Sequence, residues 1–103
     1  MTKIKFEIRS KLGINVRITE NYWQKIVKTK HTVIEGKEEL VKTALIDPDH
    51  IRVSIKDPDV YLFYKQLNTN YICVVVKHLN VNAFIITIYI TDRIKIGKDY
   101  ETN

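Results

Sequence analysis

The sequence predicts an α+β domain: a small N-terminal hairpin, two helices, then a four-stranded antiparallel sheet with both helices on one face. Three observations lead there. Apolar residues recur at helical spacing in two central stretches and nowhere else. From Ile51 onward, most of the apolar segments alternate with period 2, so successive side chains fall on opposite faces of a sheet. The loops between those segments are too short for the crossover that a parallel pair requires.

Taken in order, "KIKFEIR" (3–9) and "INVRI" (14–18) alternate around Gly13 and read as a hairpin. Thr19 suits an N-cap for the helix "ENYWQKIVKTK", where Tyr22, Trp23, Ile26 and Val27 form an apolar stripe. Trp23 is therefore expected in the core. A second helix, "GKEELVKTAL", groups Leu40, Val41, Ala44 and Leu45, with Glu38 and Glu39 favouring its N-terminus. It stops at "DPD" (47–49), because Pro48 disfavours helical geometry in the residue before it. The strands follow as "IRVSIK" (51–56), "VYLFYK" (60–65), "YICVVVK" (71–77) and "AFIITIYI" (83–90), with a second "DPD" turn at 57–59.

Two helices cover only one face of such a sheet. Ile51, Val53, Ile55, Leu62, Ile72, Val74, Val76, Ile86 and Ile88 are expected beneath them. The uncovered face then collects Arg52, Ser54, Tyr61, Phe63, Lys65, Tyr71, Thr87, Tyr89 and Thr91. An antiparallel sheet often leaves one face wet, so polarity alone carries little. The mixture of cations, hydroxyls and rings says more. Cations neutralise phosphates while rings stack on unpaired bases, which makes Arg52, Ser54, Tyr61, Phe63 and Tyr71 candidate RNA contacts.

The totals agree with one folded domain. The chain has 103 residues, 45 % apolar and 28 % charged, enough for a single core. No apolar run approaches the roughly 18 residues of a membrane span, and the start lacks a secretory pattern. A single cysteine, Cys73, forms no internal disulfide and offers no metal-site spacing. A cytoplasmic setting is the expectation, with no membrane partner. Net charge is +5, and residues 1–30 hold eight basic side chains against two acidic ones. That imbalance suits a polyanion, although lysines also simply keep a small domain soluble.

Phosphate-binding loops, zinc-protease and nucleophile-elbow motifs are all missing, and no metal or cofactor is expected. Of the three histidines, His50 and His78 read as loop or loop-flanking polar residues. His31 extends the apolar stripe to the end of the first helix. It suits either a helix C-terminus, where the macrodipole favours a cation, or a general acid–base near neutral pH.

The ordered set "YWQKIVKTKH", "LIDPDHIRVS", "DPDVYLFYK", "YICVVVK" and "FIITIYITDRIKIG" resembles the phage-type nuclease-like domains of the barnase–EndoU–colicin–RelE superfamily over about residues 13–98. The resemblance implies two helices followed by a four-stranded antiparallel sheet, and a metal-independent ribonuclease or toxin. It places the helix-end histidine on His31, the basic residue closing "LFYK" on Lys65, and the hydroxyl pair of the last strand on Thr87 and Tyr89. The chain departs from the pattern at Thr32, where proline is common, and in "ITIY", where "ITAY" is more usual.

Two functions follow as expectations. One is an endoribonuclease, a toxin of a bacterial or phage element, that cleaves RNA through attack by its own 2′-OH. His31 would be the general base or acid, Lys65 and Arg52 would stabilise the phosphorane, and Thr87 and Tyr89 would position the phosphate. The other is a non-catalytic RNA- or protein-binding module of the same fold. A toxin would carry a cognate antitoxin or immunity protein as a second partner.

Overall fold

A computed structural model describes residues 3–29, 32–94 and 98–99. The chain is α+β, as expected, but its sheet is larger and mixed. The elements are β1 (Ile4–Arg9), β2 (Asn15–Thr19), α1 (Glu20–Thr29), a 3-10 turn (Thr32–Ile34), α2 (Glu38–Ile46), β3 (His50–Val53), β4 (Val60–Leu67), β5 (Asn70–Leu79), β6 (Asn82–Thr91) and the two-residue β7 (Lys98–Asp99). They form one sheet in the order β1-β2-β6-β5-β4-β3-β7.

The expected antiparallel meander is present as β3 to β6. The correction lies at its margin. The N-terminal hairpin does not stand apart, because β2 runs parallel to β6 through Asn15↔Asn82, Val16↔Ala83 and Arg17↔Phe84. Both α-helices and the strands β3 to β5 lie between β2 and β6, a connection long enough for a parallel pairing.

Local chemistry explains the boundaries. Gly13 takes φ 80° in the β1–β2 turn, where its amide donates to the Ser10 carbonyl at 2.9 Å. That φ costs a residue without Cβ nothing. Thr19 caps α1 as expected, its hydroxyl accepting from the Tyr22 amide at 3.1 Å. At the end of α2, the Asp47 amide donates to the Thr43 carbonyl at 2.7 Å. In the second DPD, Asp57 Oδ1 accepts from the Asp59 amide at 3.0 Å, an Asx turn that starts β4. β3 stops at Val53 rather than running to Lys56, and Ile55, expected in the core, is 71 % exposed in the loop beyond.

Trp23 is buried to 1 % exposure and meets Phe6 edge-on, with ring centroids 6.3 Å apart. The main core joins it to Ile26, Val27, Val41, Ala44 and Leu45 from the helices and to Ile51, Phe63, Ile72, Val74, Val76, Ile85 and Ile88 from the sheet. A second, smaller cluster of Leu62, Tyr64 and Cys73 lies on the opposite face.

Those two clusters correct the expected faces. In β4, Phe63 sits in the helix-side core, whereas Leu62 belongs to the opposite cluster. Tyr61 also packs on the helix side, and Lys65 pairs with the core residue Ile72. "VYLFY" is apolar at both parities, so alternation could not say which set faces inward. In β6, Val75 pairs with Thr87 but Val76 pairs with Ile85, which leaves Ile86 as a bulge. The extra residue reverses parity along the strand. Ile88 therefore shares the core with Ile85, and Ile86 does not lie with it in the expected register.

Candidate functional site

Cross-strand register assembles the open face in rows. One row runs Arg52, Leu62, Val75 and Thr87 across β3, β4, β5 and β6; the next runs His50, Tyr64, Cys73 and Tyr89. The bulge at Ile86 is what lets Thr87 and Tyr89 face the same way as Arg52. A cleft of about 420 Å³ opens over the first row and the Tyr89 end of the second, and Arg52, Ser54, Lys56, Thr87 and Tyr89 line it. Val60, Leu62 and Val75 supply apolar lining. Ligand pockets combine these parts, a mostly apolar surface with a few placed polar groups.

The polar groups are held differently. The Arg52 guanidinium donates to its neighbour's carbonyl on Ile51 at 3.5 Å. The Ser54 hydroxyl accepts from the Asp57 amide at 3.4 Å, which ties it to the turn. The Thr87 hydroxyl oxygen is buried and has no hydrogen-bond partner among the described residues. Burial is the main cause that raises the Tyr89 phenol above its usual pKa, and contacts with Cys73 and Tyr64 add to it. The Tyr89 hydroxyl oxygen is itself buried, and the group keeps its proton across the neutral range. Tyr71 also lies on this face, edge-on to Tyr64 at 6.3 Å and to His50 at 6.2 Å. Ile94 packs over the same cluster after β6 ends.

Four of the expected residues, Arg52, Ser54, Thr87 and Tyr89, thus meet in one cleft, and Tyr71 lies on its face. Three others go elsewhere. The Lys65 amine is held by Asp47 at 3.3 Å and Asp49 at 3.6 Å, beside the end of α2. Phe63 is fully buried in the helix-side core. Tyr61 stacks on His78 instead, centroids 4.1 Å apart. His31 lies outside the described residues. Of the elements that flank it, the 3-10 turn lies against β6.

The alternation of "IRVSIK" already points Lys56 outward beside Arg52 and Ser54, although it was not singled out as a contact. His50 and Tyr64 were not anticipated for this face, and the side that Tyr64 takes depends on the β4–β5 register. No helix among the described residues is long and apolar enough to cross a membrane. No family model, no curated protein and no solved structure matches the chain.

Proposed function

We propose that the chain acts on single-stranded RNA at the Arg52–Thr87–Tyr89 cleft, and that it cleaves RNA without a metal. The observation that carries this reading is the meeting of Arg52, Ser54, Lys56, Thr87 and Tyr89 in one cleft from β3, its following loop and β6. The sequence resemblance independently points to two of them. The net charge of +5 favours a polyanion in the same way.

In the proposed step, the 2′ oxygen attacks the adjacent phosphorus while a base removes its proton, and the bond to the 5′ oxygen breaks as that oxygen gains a proton. The products are a 2′,3′-cyclic phosphate and a 5′-hydroxyl. Arg52 and Lys56 would face the added charge of the phosphorane. Tyr89, which lines the cleft, is the proposed donor at the leaving oxygen. His31 is the proposed base. Lys65 is left out, since its amine is engaged by two carboxylates.

That engagement also favours the second reading, a module that binds RNA without cutting it. Incubation with RNA in excess EDTA, followed by analysis of product ends, separates the two. Cyclic-phosphate ends, lost about 10²-fold or more in a folded His31→Ala protein, support cleavage. Intact RNA with binding retained supports the module.

A further inference from the structure

Away from the cleft, the parallel pairing of β2 with β6 ends at Arg17↔Phe84, while β6 continues to Thr91. A groove of about 280 Å³ opens where the strands part, lined by Arg17, Ile18, Tyr22 and Phe84 among others. A second hollow, about 330 Å³, adjoins it through Arg17 and Phe84 and reaches Leu79 on the β5–β6 hairpin. Phe84 is 41 % exposed, Leu79 51 % and Val81 78 %. Three large apolar side chains are thus exposed along one hairpin, and apolar surface gathered in this way marks interaction sites.

Arg17 gives this patch its chemistry. It lines both hollows and is half-buried, and its side chain makes no ion pair or hydrogen bond among the described residues. It faces Glu7 across β1, yet the two form no salt bridge among the described residues. The sequence around it is strongly basic, with eight cations against two carboxylates in residues 1–30. A guanidinium beside an apolar hollow matches a carboxylate next to a large apolar side chain, with the fork geometry of Arg available for a bidentate bond.

We infer that this hollow is a docking site for an acidic, amphipathic segment of a partner protein, one apolar side chain seated against Phe84 and a neighbouring Asp or Glu on Arg17. RNA is the weaker candidate, because the hollow that Ile18, Tyr22 and Phe84 line is apolar and offers one cation. A second copy of the chain would bring more positive charge to Arg17. The site is separate from the cleft and does not depend on the proposed cleavage.

The test is selection of a random 12-residue peptide display library on the full chain, with affinities then measured for synthetic peptides. The expected peptides carry Asp or Glu within a few residues of Leu, Ile, Phe or Met. Their binding should fall about tenfold or more for Arg17→Gln and for Phe84→Ser, and Arg52→Ala should leave it unchanged. Arg17→Gln avoids placing two carboxylates opposite each other in the β1–β2 ladder, and circular dichroism confirms its fold. Failure to enrich any peptide, enrichment without carboxylates, or equal binding to Arg17→Gln would overturn the inference. So would competition by oligouridylate, or a concentration-dependent dimer abolished by Phe84→Ser.

Discussion

The Tyr22 hydroxyl donates to the main-chain carbonyl of Ile86 at 2.6 Å. This bond joins α1 to the bulge that turns Thr87 and Tyr89 onto the open face. Among the described residues β6 has no strand partner on that side beyond Phe84, so Tyr22 satisfies a carbonyl that the sheet leaves over. Loss of one partner of this part-buried bond leaves the carbonyl at least partly desolvated and without its donor. Tyr22→Phe should therefore destabilise the fold by about 1–2 kcal/mol, measured by urea unfolding. It should also loosen the bulge, seen as weaker RNA binding in excess of the lost folded fraction. An unchanged midpoint would show that the bulge holds without α1.

Trp23 fixes the same helix from within. Its burial against Phe6 predicts a loss of about 3–5 kcal/mol for Trp23→Ala, from transfer and cavity costs together. A mutant that melts with the parent would contradict the packing of α1 on the sheet.

Lys65 gives the opposite case. Its amine bridges Asp47 and Asp49, both exposed, at 3.3 and 3.6 Å. Such pairs contribute about 0–1 kcal/mol in water. Lys65→Ala should change stability by less than about 1 kcal/mol and leave RNA cleavage or binding at the wild-type level. A large loss of cleavage with the fold intact would return Lys65 to the catalytic set.

His78 provides a pH signature. Burial pushes its imidazole below the ordinary value of 6.5, and Asp59 opposes that shift only in part. Its Nε2 is buried without a hydrogen-bond partner among the described residues. The unfolded chain then binds a proton more readily than the folded one. Stability from this group is present in full above pH 6.5 and is lost as pH falls through the depressed folded value. Unfolding free energy measured from pH 8 downward should decline from about pH 6.5, and His78→Gln should flatten that slope. A decline of the same steepness in the mutant would assign it to other groups.

These outcomes separate what the residues disclose from what only the register decides. Both helices, the Thr19 cap and the burial of Trp23 were legible, because helical spacing and capping chemistry are local. The four strands of the meander were legible as segments. Their faces were less so. "VYLFY" is apolar at both parities, and only pairing with β5 puts Phe63 inside and Leu62 outside. The β6 bulge is invisible in "AFIITIYI", yet it lets Thr87 share a face with Arg52. The parallel seam of β2 with β6 depends on contacts some 67 residues apart, Asn15 with Asn82 being one, which no local pattern encodes. Alternation placed Arg52, Thr87 and Tyr89 on one face, and the resemblance pointed to Thr87 and Tyr89 as well. Lys56 lines the same cleft from the loop after β3.

Arg52 is the cation that the ladder aligns with Leu62, Val75 and Thr87 in the cleft. The most direct measurement is the single-turnover rate of RNA cleavage by Arg52→Ala in excess EDTA, at saturating protein, with the fold checked by near-ultraviolet circular dichroism. Removing a group that faces developing phosphorane charge should lower that rate by about 10²–10³-fold. A folded Arg52→Ala protein that cleaves at the wild-type rate would contradict the assignment of the cleft.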